Sequence, residues 1–105
     1  MKKIILKVSD QPIVTVHMSA NGGSVEEITT TNDMMAKLII PKLAKSEENV
    51  TFGDVSKLIR FYVKKLDDND EYKSMSIKEI AQKFNHKIVD IEVRKNLSIE
   101  FVGYE

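Results

Sequence analysis

The segment 76–101 constrains the fold more than any other part of the chain, because it fits two incompatible structures. It begins Ser-Ile-Lys-Glu, a pattern in which Ser76 caps a helix and Glu79 bonds back to the cap. After Asn85, apolar and polar residues alternate on both sides of positions 95–96. A helical second half would make the segment a DNA-binding helix-turn-helix unit, whereas paired strands would make it a β-hairpin.

The second half of this segment favours the hairpin. Its alternating apolar residues are Val89, Ile91, Val93, Leu97, Ile99 and Phe101. Such residues favour strands, and residues 95–96 between the two runs match the shortest common hairpin connection. A helix-turn-helix unit would also have to bury His86 and Arg94, although Asn85 would suit its turn because asparagine tolerates the left-handed conformation. We therefore predict a capped helix followed by a C-terminal hairpin.

The N-terminal third of the chain predicts a three-stranded β-meander. Apolar residues alternate over 4–8 and again over 14–18, which is the period of a half-buried strand. Residues 9–12 predict a turn, because aspartate and serine can bond their own backbone and proline fixes φ. The Ala-Asn-Gly-Gly run at 20–23 predicts a second turn, and residues 24–30 then return as the third strand.

The first helix is predicted after this meander and before Pro41. One of the residues 31–33 can cap it, and its apolar run 34–40 has no polar side except Lys37, so we expect burial on more than one side. Pro41 either ends this helix near Ile40 or kinks it, in which case the helix resumes through Leu43.

The second and third helices have clear apolar faces. The second has one continuous stripe, formed by Val55, Leu58, Ile59, Tyr62, Val63 and Leu66. Thr51 or Asp54 can cap it, and three basic residues, Lys57, Arg60 and Lys64, lie opposite the stripe. An acidic loop follows at 67–71, and the third helix buries Ile77, Ile80, Ala81 and Phe84. The chain is therefore predicted to be a single α+β domain, residues 1–105. Its antiparallel sheet comes from the N-terminal β-meander and the C-terminal β-hairpin, with two or three helices packed on one face.

Charge disfavours nucleic acid as the partner. The net charge is zero, and 14 of the 16 basic residues are lysine, whereas nucleic-acid binders usually carry a basic excess that includes arginine. The alternative, a nucleic-acid-binding regulator, depends on a locally basic stretch that contains Lys73, Lys78, Lys83, Lys87, Arg94 and Lys95.

No pattern in the sequence indicates catalysis, a cofactor or a metal site. The chain has no cysteine and only two histidines, and neither histidine has metal-ligand spacing. Residues 67–71 resemble the start of a calcium loop, but Tyr72 stands where that loop needs glycine and Lys78 where it needs glutamate. We therefore expect a non-enzymatic protein.

The location expected from the sequence is the cytoplasm. The absence of cysteine fits a reducing compartment. The apolar run at residues 4–6 is too short for a signal peptide, and no run approaches the length of a membrane span.

Phe61 is the residue that most suggests a binding surface. It lies off the apolar stripe of the second helix, on the flank of Lys65 and Asp54, so either neighbouring elements cover it or it is an exposed anchor for a partner. Tyr104, expected on an edge strand, is a weaker candidate, and an exposed edge would also allow strand addition or a homodimer. The sequence therefore predicts a binding or regulatory protein that acts through protein–protein contacts at Phe61, Lys65 and Tyr104. Size and composition suit an accessory or inhibitor protein of a phage or mobile element, although no motif identifies one.

Overall fold

The computed structural model describes residues 2–21, 23–40, 50–66, 70–85, 87–90 and 97–104. Their elements, in chain order, are β1 (Lys2–Val8), β2 (Gln11–Met18), β3 (Val25–Thr30), α1 (Asp33–Ile39), α2 (Phe52–Leu66), a 3-10 helix (Asp70–Lys73), α3 (Ile77–Lys83), β4 (Lys87–Asp90) and β5 (Leu97–Val102). The strands form one antiparallel sheet in the order β3-β2-β1-β5-β4. The predicted α+β class, with an N-terminal meander joined to C-terminal strands, is confirmed.

The strand register separates an apolar face of the sheet from a polar one. Leu6 of β1 lies opposite Val14 of β2 and Ile99 of β5, and all three are buried. The neighbouring residue Ile5 lies opposite Thr15 and Glu100 on the other face. Buried strand residues of the apolar face form one hydrophobic core with the buried residues of the helices. That all the helices cover this one face stays a prediction.

The first hairpin turns more tightly than its sequence predicts. Val8 lies opposite Gln11, so only Ser9 and Asp10 form the connection, with φ of 51° and 65°. Two consecutive residues with positive φ give the backbone twist that suits a two-residue hairpin. Pro12, predicted to lie in the turn, instead belongs to β2, where the pairing with β1 is irregular.

Helix α1 is short and exposes one of its apolar residues. The side chain of Asn32 caps it by accepting from the backbone N–H of Met35 at 3.1 Å. The helix ends before Ile40, which is extended, as expected of a residue that precedes proline. Continuation through Leu43 would fall outside the described residues. Met34 is 77% exposed, and the side chains of Leu38 and Ile39 lie outside the described residues, so burial on more than one side stays a prediction.

The apolar faces and caps predicted for α2 and α3 are confirmed. In α2 the stripe residues Val55, Ile59, Tyr62 and Val63 are buried, and Leu58 is partly buried, whereas the side chain of Leu66 lies outside the described residues. Before α2, the backbone N–H of Thr51 donates to the carboxylate of Asp54 at 2.9 Å. Before α3, Ser76 and Glu79 form the reciprocal capping box, with both bonds at 3.1 Å.

The chain after α3 forms a strand, so the helix-turn-helix interpretation is wrong. Asn85 takes the left-handed conformation, with φ 55°, and β4 begins two residues later. Ile88 lies opposite Ile99, and Asp90 lies opposite Leu97, so residues 91–96, outside the described residues, connect the strands. A two-residue turn at 95–96 would set residue 94 opposite Leu97, so the predicted register is wrong, and residues 95–96 themselves lie outside the described residues. Burial of Ile88 fixes the register, because a slip of one residue would turn it to the opposite face.

Candidate docking surface around Phe61

Phe61 is exposed on the outer side of α2. Its side chain is 49% accessible, whereas Tyr62 and Val63 beside it are buried in the core. At 3.6 residues per turn, Lys57 and Lys64 share the face of Phe61, and both are exposed. Of the two interpretations open at the sequence level, coverage by neighbouring elements is therefore wrong.

Phe61 borders a depression of about 200 Å³ between α2 and the 3-10 helix. Six residues line it: Arg60, Phe61, Lys64, Asp70, Tyr72 and Lys73. One wall thus comes from the last turns of α2, and the other from the 3-10 helix. We name this depression, together with the face of α2 that carries Lys57, Phe61 and Lys64, the Phe61 surface.

Arg60 fixes the two walls relative to each other. Its guanidinium donates to the backbone carbonyl oxygen of Tyr72 and, at 2.8 Å, to that of Met75. Its Nε donates to the hydroxyl oxygen of Ser56, one turn earlier in α2, at 3.1 Å. Charge-assisted bonds of this kind are stronger than neutral ones, so Arg60 is a structural clasp for the segment after α2.

Tyr72 anchors the 3-10 helix in the core. It is 3% exposed, and its ring lies 5.8 Å from the ring of Phe84 at the end of α3. The ammonium of Lys83 lies 5.0 Å from the centre of the Tyr72 ring and 3.7 Å from the carboxylate of Glu71. The wall formed by the 3-10 helix is therefore held from α2 and from α3.

The Phe61 surface is basic. Arg60, Lys64 and Lys73 line the depression, and Asp70 supplies the carboxylate among its lining residues. Lys73 and Asp70 lie 3.5 Å apart, but both side chains are mostly exposed, so this ion pair contributes little stability. On the same face of α2, Lys57 adds a positive charge and Asp54 adds a negative one, so positive charges outnumber negative ones among the described residues of this surface.

Of the three predicted partner-binding residues, the structure places only Phe61 at this surface. Lys65 belongs to α2, but its side chain lies outside the described residues. Tyr104 packs elsewhere, against residues that do not line the depression.

Tyr104 was expected to be exposed on an edge strand, and both expectations are wrong. Strand β5 lies between β1 and β4, and Tyr104 beyond it is 3% exposed. Gly103, with φ 84°, turns the chain, and the Tyr104 ring packs edge-on against Phe101 with centres 5.9 Å apart. The ammonium of Lys2 lies 5.3 Å from the Tyr104 ring centre. Among the described residues, the Tyr104 hydroxyl has no hydrogen-bond partner, and burial raises its pKa.

The residues that sequence reasoning missed are Arg60 and Tyr72. Arg60 was grouped with solvent-facing lysines, although arginine in a chain so rich in lysine indicates a need for several directed donors. Tyr72 follows an acidic run that predicted a solvated loop, and nothing in its immediate sequence indicates burial.

In the alternative basic stretch, three of the four lysines that the structure describes lie beside carboxylates. Lys73, Lys83 and Lys87 each lie within 4 Å of a carboxylate oxygen, at 3.5, 3.7 and 3.9 Å. Arg94 and Lys95 fall outside the described residues. All three pairs are exposed, so each contributes little stability.

Neither chemistry nor similarity adds another site. Within the ranges that the structure describes, no group of three or more His, Asp or Glu side chains is arranged to hold a metal ion. No α-helix in those same ranges has the length and apolar character needed to span a bilayer. Comparison of the chain with protein family models, with curated proteins and with solved structures finds no match.

Proposed function

We propose that this protein is a small non-enzymatic binding or regulatory module that acts through protein–protein contact, with Phe61 as its anchor. The observation that supports this proposal is an aromatic side chain, 49% exposed, beside a depression whose walls Arg60 holds in place. Exposed aromatic residues next to formed pockets are typical of the residues that dominate binding energy at interfaces.

Phe61 differs from the other exposed large apolar residues. Met34 is 77% exposed and Val102 is 38% exposed, but neither lines the depression. Single exposed apolar residues are common on protein surfaces and need no functional explanation. The formed depression is therefore what distinguishes Phe61, and Met34 provides a matched control.

Affinity capture with immobilised wild-type protein, Phe61→Ala and Met34→Ala tests the proposal. Proteins retained from a lysate of the source organism are identified, produced and titrated by calorimetry. We expect a partner that binds the wild type and Met34→Ala equally, and binds Phe61→Ala roughly 30-fold more weakly, the effect of losing a hot-spot side chain. Urea unfolding of each variant confirms that the proteins remain folded.

Equal binding of the identified partner to all three proteins would contradict the proposal. A homodimer formed through the same surface would be one form of the proposed function. Sedimentation would then show a wild-type dimer and a Phe61→Ala monomer.

Two narrower proposals accompany this one. Absence of cysteine supports a cytoplasmic location, and small size supports an accessory role encoded by a phage or mobile element. Nucleic-acid binding is less well supported, because the net charge is zero and 14 of the 16 basic residues are lysine. A salt-dependent mobility shift with DNA or RNA would favour that alternative.

A further inference from the structure

We propose that the partner presents a short acidic segment whose single large apolar side chain fills the depression beside Phe61. This inference rests on the proposed function and specifies the chemistry of the partner. Three features of the Phe61 surface carry it: the size of the depression, the sign of the surrounding charge, and the kind of cation that supplies the charge.

The size of the depression suits one side chain. Pockets for drug-sized molecules or cofactors usually enclose about 300–1,000 Å³. The depression encloses about 200 Å³, which is smaller than that range and is several times the volume of one water molecule. An apolar residue such as leucine fits this space and can contact the ring of Phe61 at its border.

The surrounding charge selects an acidic segment. Lys57 and Lys64 share the outer face of α2 with Phe61, and Lys73 faces them across the depression. The long alkyl stems of lysines can cover an apolar ligand side chain while their ammonium groups reach flanking carboxylates. Because Lys73 and Asp70 form an exposed pair, Lys73 can exchange Asp70 for a ligand carboxylate at small cost.

The kind of cation favours carboxylates over phosphates. Arg60 is the arginine at this surface, and its Nε and both Nη groups donate to Ser56, Tyr72 and Met75. The paired donors that recognise phosphate most specifically are therefore engaged within the protein. Lysines at separate points fit carboxylates spaced along a peptide better than a compact phosphate group.

The test uses three labelled peptides: one leucine flanked by aspartates, the same peptide with alanine for leucine, and the same peptide with lysines for aspartates. Binding is followed by fluorescence anisotropy at low and high salt. We expect the aspartate–leucine peptide to bind, the lysine peptide not to bind, and the alanine peptide to bind roughly tenfold more weakly. Added salt weakens the complex, because its charge contacts are exposed.

Variants of the protein assign the contacts. Phe61→Ala is expected to lower the affinity for the aspartate–leucine peptide roughly tenfold or more. Lys64→Glu is expected to lower the same affinity roughly threefold to tenfold. Lys78→Glu makes the same charge change on the exposed side of α3 and is expected to change affinity less than twofold. Met34→Ala controls for the loss of an exposed apolar side chain.

Failure of this inference can be distinguished from failure of the proposed function. Absent or charge-independent peptide binding, together with a captured partner that still depends on Phe61, overturns the acidic segment and leaves the binding module intact. A single-stranded oligonucleotide that displaces the peptide and shows the same dependence on Phe61 and Lys64 overturns it in favour of nucleic acid. Self-association lost in Lys64→Glu overturns it in favour of a second copy of the chain. If capture and peptide binding are both unaffected by Phe61→Ala, both proposals fail.

Discussion

Phe61 and Tyr104 mark two regions that share an aromatic ring and nearby lysines, yet one ring is exposed and the other is buried. Phe61 is 49% exposed and Tyr104 is 3% exposed. Helix α2 already turns a full apolar stripe to the core, so Phe61 beside that stripe is left in solvent. After β5, Gly103 turns the chain so that Tyr104 joins the core. Position relative to the buried surface, and not residue type, decides which of the two aromatic residues is accessible to solvent.

The two regions also differ in how their polar groups are satisfied. Near Phe61, the guanidinium of Arg60 bonds two backbone carbonyl oxygens and one hydroxyl. The Tyr104 hydroxyl is buried without a partner among the described residues, which costs free energy relative to its hydrated state. The exposed region is thus supported by polar contacts, whereas the buried region depends on packing.

The largest loss of stability is expected when the hydrogen bonds that support the Phe61 region are removed. Arg60→Met keeps an aliphatic stem of similar length and removes the donors to Tyr72 and Met75. We expect the free energy of unfolding to fall by about 2–4 kcal/mol, because charge-assisted bonds are lost and two carbonyl groups lose a partner. Urea denaturation measures this change. Lys57→Met, an exposed position on the same helix, should change the free energy of unfolding by less than about 0.5 kcal/mol. Equal effects of the two substitutions would show that the hydrogen bonds of Arg60 do not stabilise the fold.

A smaller loss of stability is expected from a substitution at the turn that brings Tyr104 into the core. Gly103→Ala places a side chain on a residue with φ 84°, so we expect a loss of about 1–2 kcal/mol in the free energy of unfolding. Gly53→Ala, in the first turn of α2, is the matched control. A Cβ there would meet only the Thr51 Oγ1 at 3.6 Å, an ordinary contact, so the helix should gain about 0.5–1 kcal/mol. If both substitutions change the free energy of unfolding in the same direction, the positive φ of Gly103 is not what makes glycine necessary there.

The smallest effect concerns the buried hydroxyl of Tyr104. At neutral pH, Tyr104→Phe should leave the free energy of unfolding unchanged or raise it by up to about 1 kcal/mol, because it removes a buried polar group without a partner. Burial raises the pKa of Tyr104 above its usual value of 10.0, so the folded state holds the phenol proton more tightly than the unfolded state.

Below pH 10 the phenol is protonated in both the folded and the unfolded state, and the raised pKa has no effect on stability. As the pH rises from 10 through the raised pKa, the unfolded state loses the phenol proton first, so the free energy of unfolding falls. Thermal unfolding between neutral and strongly alkaline pH should therefore show a steeper loss of stability above pH 10 in the wild type than in Tyr104→Phe. Deprotonation of lysines acts on both proteins, so the difference between them isolates Tyr104. If the stability of the wild type and of Tyr104→Phe falls equally with rising pH, the Tyr104 hydroxyl is hydrated in solution.

Much of the fold could be predicted because its signals are local. The reciprocal cap of Ser76 and Glu79, the stripe of α2 and the alternation in β1 each depend on residues a few positions apart. The register of β4 could not be predicted in this way. Val89 and Ile88 are both good strand residues, and only pairing with β5 turns Ile88 to the core.

The candidate site was predictable only in part for a related reason. Helical periodicity placed Phe61 off the buried stripe but left open whether neighbouring elements cover it, and the structure shows it 49% exposed. The depression beside it needs the 3-10 helix and the bonds from Arg60 to Tyr72 and Met75, which lie twelve and fifteen residues further along the chain. No short-range pattern encodes such contacts. Tyr104 was wrongly placed because β5, the strand before it, is internal, which the order of strands alone decides.

The order of strands in the sheet also governs when the fold can be completed during synthesis. β1 lies between β2 and β5, and Lys3 near its start pairs with Val102 near the end of β5. A nascent chain that has emerged as far as α3 therefore holds a meander whose β1 edge is still unpaired, a surface that promotes association between chains. Only β5 pairs with that edge, so β5 must leave the ribosome before β1 has a strand on both sides.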